Sequence, residues 1–118
     1  MTLTKKQAIF ALNTSKLIQF IFENNGQVTF GDTYRSSSQA LDNAQAGIGI
    51  KNSLHCKRLA VDLNLFNEDG KYLTDKKDYE QFGTYWKSLN PDNRWGGDFV
   101  TLYHGKIDDP NHFEMQDL

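Results

Sequence analysis

The stretch Leu59-Ala60-Val61-Asp62-Leu63-Asn64-Leu65-Phe66 constrains the fold more than any other part of the chain. Leu59, Val61, Leu63 and Leu65 fall on one face of an extended segment, and Ala60, Asp62 and Asn64 fall on the other. A strand patterned this way buries one face against a core. Asp62 therefore faces away from the apolar side, on a rigid element.

The remaining periodicities supply partners for that strand. Residues from about Thr4 to Asn24 predict an amphipathic helix opened by Thr4 with Gln7 three residues on, the spacing of a capping box. Ile9, Phe10, Leu17, Phe20 and Ile21 form its buried face, and Asn24-Asn25-Gly26 ends it. Gln27-Val28-Thr29-Phe30 reads as a short strand leading into Gly31-Asp32. A short helix is expected from about Ser37 to Ala46, with Ala40, Leu41 and Ala44 inward, before a loop opened by Gly47 and Gly49. Asn67-Glu68-Asp69-Gly70 is a turn. Thr74 is expected to cap a helix running to about Leu89, with Tyr79, Phe82, Trp86 and Leu89 spaced for burial and Asn90-Pro91 as its stop. Trp95-Gly96-Gly97-Asp98-Phe99 is a tight glycine-containing segment. A last strand, about Asn111 to Met115, sets His112 and Glu114 against Phe113 and Met115.

A length of 118 residues, with 38% hydrophobic and 13% aromatic residues, fits one domain, residues 1–118, with a single modest core. No long uncharged apolar run is present, so no membrane span is expected. Asn13, Thr14, Ser15 and Lys16 break the apolar positions near the start, so no signal-peptide core is expected either. A net charge of −2 gives no basic field, which argues against nucleic acid as a partner. Cys56 is the single cysteine, which excludes an internal disulfide and leaves imidazole and carboxylate as the available metal ligands.

Those ligand types occur in two segments. Ser53-Leu54-His55-Cys56-Lys57-Arg58-Leu59-Ala60-Val61-Asp62 offers His55 and Asp62, and Asp109-Pro110-Asn111-His112-Phe113-Glu114 offers His112. Three such ligands would hold zinc with one coordination position open to water, whose pKa then falls to about 7. Asp109, one tight turn before His112 and set off the strand by Pro110, would be placed to move a proton between water and a leaving amine. Each residue also has a plainer reading. Asp-Asp-Pro-Asn is ordinary turn chemistry, His55 fits a hydrogen-bonded structural histidine and Asp62 an aspartate paired with Arg58 or a backbone amide, and Trp95 and Phe99 fit burial beneath the site as well as substrate stacking. His104, beside Gly105 and Lys106, reads as a surface-loop residue.

Together these segments resemble the zinc D-alanyl-D-alanine carboxypeptidase family, which includes phage endolysins acting as L-alanyl-D-glutamate endopeptidases and shares a fold with the Hedgehog signalling domain. Its pattern S-x-H-x-x-G-x-A-x-D is met by Ser53, His55, Ala60 and Asp62, and its later acid-x-x-H by Asp109 and His112. The likeness extends upstream to Tyr34-Arg35-Ser36 with Gln39, and downstream through Trp95-Gly96-Gly97-Asp98-Phe99 to His112-Phe113-Glu114. It implies an α+β fold, a small antiparallel sheet with helices packed on one side. It implies that His55, Asp62 and His112 bind Zn2+, that Asp109 is the general base, that Arg35 binds the substrate carboxylate or polarises the scissile carbonyl, and that Ser53 helps fix the peptide. Arg58 stands where the pattern has glycine, so its bulk either crowds the loop or lies outward.

The expected activity is hydrolysis of a stem-peptide bond of bacterial peptidoglycan by metal-activated water. The L-alanyl-D-glutamate bond is favoured over D-alanyl-D-alanine because a small chain with neither signal peptide nor anchor resembles a phage lysis enzyme, held in the host cytoplasm until release to the wall. A monomer is expected. The alternatives are a non-catalytic zinc-containing module that binds wall peptides, and a metal-free structural domain.

Overall fold

The computed structural model describes residues 1–34, 36, 53–100 and 108–118. The expected helix from about Ser37 to Ala46, together with Arg35, Gln39 and His104, lies outside the described residues.

Helix α1 spans Leu3–Glu23 and is capped by Thr2, whose hydroxyl accepts the Lys5 N–H at 3.2 Å. The capping box expected at Thr4 is therefore not formed. Gln7 instead sends its side-chain amide to the Lys57 carbonyl at 2.8 Å. The helix ends where Asn25 takes a left-handed φ of 67° and the Gly26 N–H returns to the Ile21 carbonyl at 2.9 Å, a closure that satisfies an otherwise orphaned carbonyl. Phe10, Leu17 and Ile21 are buried as the periodicity predicts, whereas Ile9 and Phe20 are only partly buried and Asn13 joins the buried row.

Strand β1 (Gln27–Phe30) pairs antiparallel with β2 (Ala60–Phe66), aligning Val28 with Leu65 and Phe30 with Leu63. After the turn at Gly70, where φ is +82°, β3 (Tyr72–Leu73) returns along β2. Helix α2 spans Lys76–Leu89 with Asp75 at its N-cap position, so Thr74 lies outside the helix and is not its cap. It is followed by β4 (Asn93–Trp95), a short 3-10 turn Gly96–Asp98, and β5 (His112–Met115). The periodicity of so short a segment gave no sign of β4. The sheet runs β1-β2-β5-β4, with β3 on β2, and every pairing is antiparallel.

One face of this sheet is the core. Leu59, Val61, Leu63, Leu65, Phe113, Met115 and Trp95 meet Phe10, Leu17 and Ile21 of α1 and Tyr79, Phe82 and Trp86 of α2. Trp86 is fully buried, with Phe10 against it edge-on, and its indole N–H donates to the carbonyls of Arg94 and Glu114 at 3.0 and 3.1 Å. That one side chain ties α2 to β4 and β5. The Tyr79 hydroxyl does the same for β2 and β3, accepting the Leu65 N–H and donating to the Leu73 carbonyl. Burial, aided by nearby acidic groups, pushes its phenol up to about 12, so it stays a donor across ordinary pH. With α1 and α2 covering one face, the opposite face of β2, β5 and β4 carries the polar residues.

Candidate metal centre

Asp62 on β2 and His112 on β5 are directly opposite one another in the sheet register. Residues 50 positions apart thus become nearest cross-strand neighbours, on the face that alternation assigns to polar residues. The Asp62 carboxylate lies 3.1 Å from His112 Nδ1.

His55 arrives from a 3-10 turn, Leu54–Lys57, packed over the start of β2. The Ser53 hydroxyl caps this turn by accepting the His55 N–H at 3.2 Å. Arg58 closes it in the left-handed conformation, φ 56° and ψ 37°, with its N–H on the His55 carbonyl. A position that needs positive φ favours glycine, which accounts for glycine in the pattern here. Arg58 takes that conformation and lies outward, its guanidinium 4.0 Å above the Tyr34 ring, so it does not crowd the ligands.

The result is a three-residue cluster. One donor atom each from His55, Asp62 and His112 lies within 4.8 Å of the others, with His55 Nε2 at 3.5 Å from Asp62 Oδ1. A tetrahedral zinc with ligand distances of about 2.0–2.2 Å would need donor separations of about 3.4 Å. The residues fit that ion in donor type, and the separations of Asp62 Oδ1 from His112 Nδ1 and His55 Nε2, 3.1 and 3.5 Å, lie near that value.

Hydrogen bonding decides which nitrogen of each imidazole is offered. His55 Nδ1 sits 3.0 Å from the Thr33 carbonyl, which only accepts, so Nδ1 carries the proton and Nε2 presents its lone pair to the cluster. His112 is arranged the other way round. Its Nε2–H donates to Glu114 Oε1 at 2.7 Å, leaving Nδ1 toward Asp62. Glu114 is buried, and Arg94 Nε donates to its second oxygen at 2.7 Å, with Nη2 on the same atom. This is the arrangement in which a carboxylate or carbonyl behind each imidazole fixes its orientation and raises its basicity toward a metal.

Charge follows the same geometry. Burial opposes ionisation of Asp62, but the hydrogen bond and charge of His112, foremost among its partners, outweigh it and hold the carboxyl down to about 2. Burial also opposes a charged His112, yet Asp62 and Glu114 raise its pKa to about 9. Glu114 is lowered despite burial, by His112 and then Arg94. Without metal, the pocket therefore holds an imidazolium between two carboxylates. A metal held by His112 would take the place of a proton on that ring.

Asp109 is half-buried one turn before His112 and is not one of the three clustered residues. Its N–H donates to the Gly96 carbonyl at 2.9 Å, and its own carbonyl accepts the His112 N–H at 3.0 Å. A Cβ at Gly96 would stand 2.0 Å from that carbonyl and 2.9 Å from His112 Cβ, so only glycine permits this approach. Trp95 is buried beneath, its indole N–H on the Pro110 carbonyl at 2.7 Å, and Phe99 rests 5.7 Å from the His112 ring. Burial under the site, the plainer reading of Trp95, is the one found.

Residues 47–115 match the D-alanyl-D-alanine carboxypeptidase family. The chain belongs to that family. The crystal structure of Serratia marcescens L-Ala D-Glu endopeptidase ChiX superposes on this member with a TM-score of 0.65, covering 85% of this chain and 75% of that one at 20% identity. No curated protein sequence matches it. The likeness in fold agrees with the α+β architecture, an antiparallel sheet with helices on one side, expected from the sequence.

Three contributors escaped sequence reasoning. Glu114 carried a signal, since it alternates with His112 on the same strand face. Arg94 carried none, because its strand was not recognised, and the Thr33 carbonyl has no side-chain signature at all.

Proposed function

We propose that this family member is a zinc-dependent peptidase of bacterial peptidoglycan that hydrolyses the L-alanyl-D-glutamate bond of the stem peptide, with D-alanyl-D-alanine as the competing specificity. The observation that carries the reading is the cross-strand pair Asp62–His112, joined by His55 with both imidazoles oriented from behind so that each turns one nitrogen inward.

Zinc in such a site supplies Lewis acidity and an activated water at neutral pH. His55, Asp62 and His112 would hold it. Asp109, fixed to His112 through a backbone hydrogen bond, would take a proton from the attacking water and deliver it to the departing amine. Arg35 would meet the substrate's carboxylate or scissile carbonyl. Ser53 holds the His55 turn by its hydroxyl and would help fix the peptide. The chain would act as a monomer at the cell wall, reaching it from the host cytoplasm if phage-encoded.

The test is digestion of purified cell walls by the zinc-loaded protein, with mass spectrometry of the released fragments. Cleavage between L-alanine and D-glutamate supports the proposal, and loss of D-alanine alone selects the carboxypeptidase. Intact walls, with zinc bound and no new amino termini, would leave a wall-peptide-binding module instead.

A further inference from the structure

Residues 31–34 and Ser36 line both ligand-bearing parts of the centre. The Gly31 N–H donates to the Asp62 carbonyl and the Asp62 N–H to the Asp32 carbonyl, each at 2.8 Å. Thr33 offers its carbonyl to His55 Nδ1, and Cys56 Sγ reaches the Ser36 carbonyl at 3.8 Å. Between these contacts lies Tyr34, half exposed, with the Arg58 guanidinium stacked over its ring.

Arg58 adopts a backbone conformation that disfavours a side chain, at the position where the family pattern has glycine. Glycine would take that φ without strain but could not reach Tyr34. A strained residue that persists points to a use for its side chain. Here the side chain bridges the two segments that meet at His55, one carrying the imidazole and the other the carbonyl that fixes its tautomer.

We propose that Arg58 and Tyr34 form a cation–π latch that keeps the Thr33 carbonyl on His55 Nδ1, making both of them positioning residues for the metal ligand. The inference rests on His55 serving as a ligand, as proposed above. A guanidinium over an exposed aromatic ring shifts an equilibrium by about two- to five-fold, which sets the size of the effect. The aromatic face matters and the phenol hydroxyl does not.

The experiment compares Arg58→Gly, Tyr34→Leu, Tyr34→Phe and the double variant Arg58→Gly/Tyr34→Leu. Nuclear magnetic resonance of the metal-free protein reads the solvent exchange of the His55 Nδ1 proton, and chelator competition reads zinc affinity. The latch predicts exchange about two- to five-fold faster, and zinc affinity lower by a similar factor, in Arg58→Gly and Tyr34→Leu. Tyr34→Phe should match the parent, and the double variant should be no worse than either single one. Because Arg58→Gly relieves backbone strain, it should remain fully folded, so its loss would not reflect unfolding. Unchanged exchange in the single variants, or losses that multiply in the double variant, would overturn the latch. The exchange measurement needs no metal, so a chain that bound no zinc would fail the proposed function while the latch was still read.

Discussion

His112 Nε2 donates to Glu114 Oε1 at 2.7 Å, two residues further along the same strand, while its Nδ1 faces Asp62 at 3.1 Å. One imidazole is thus gripped from behind by a carboxylate that takes no place in the ligand cluster. Glu114→Gln should keep the fold but lower zinc affinity by about 10- to 100-fold, the range for an outer partner of a metal-bound histidine. Chelator competition on the folded variant checks this, and an affinity equal to that of the parent would remove Glu114 from the account.

Arg94 supports Glu114 rather than His112. Its guanidinium is about half exposed, whereas the carboxylate it meets is buried. Arg94→Met would leave that buried carboxylate with His112 as its charged partner among the described residues, and the cost of an under-compensated buried charge is about 3 kcal/mol or more. Exposure of Arg94 should reduce this, to about 1–2 kcal/mol in chemical denaturation. A variant as stable as the parent would contradict it.

The metal-free protein should show a defined pH window. Asp62 has its pKa depressed from 3.8 to about 2, so its contribution is present above 3.8 and lost as pH falls through about 2. His112 has its pKa raised from 6.5 to about 9, so its contribution is complete below 6.5 and lost as pH rises through about 9. Melting temperature should therefore decline on both sides. Zinc bound by His112 would displace the proton of that imidazolium, so zinc affinity should rise about ten-fold per pH unit through neutrality. An affinity flat with pH would be inconsistent with an imidazolium in the empty pocket.

Gly96→Ala should damage the site and the fold together. The added methyl would meet the Asp109 carbonyl at 2.0 Å and His112 Cβ at 2.9 Å. Backbone cannot yield as a flexible side chain can, so a loss of about 1–3 kcal/mol or more is expected, with weaker zinc binding as the turn before His112 shifts. Thermal denaturation and metal content measure the two effects.

Much of this was legible from residue order. The alternation of Leu59 to Phe66 placed Asp62 on the polar face, and the same rule placed His112 opposite Phe113 on the last strand. The register that makes Asp62 and His112 neighbours was not legible, because pairing depends on chain separated by 50 positions. The cap of α1 is Thr2, two residues before the expected Thr4, since both are competent caps and local chemistry alone does not choose between them. Strand β4 is three residues long, too short to show a period. Arg58 is the instructive departure: the glycine of the pattern marks a left-handed turn, and an arginine satisfies the turn while adding a side chain to it.

The central claim is that His55, Asp62 and His112 share one divalent ion. Elemental analysis of the purified protein after exposure to zinc and removal of the excess tests it most directly, alongside Asp62→Ala. One zinc per chain, lost in the variant, is the predicted result. Zinc absent from the parent, or equal in parent and variant, would contradict it.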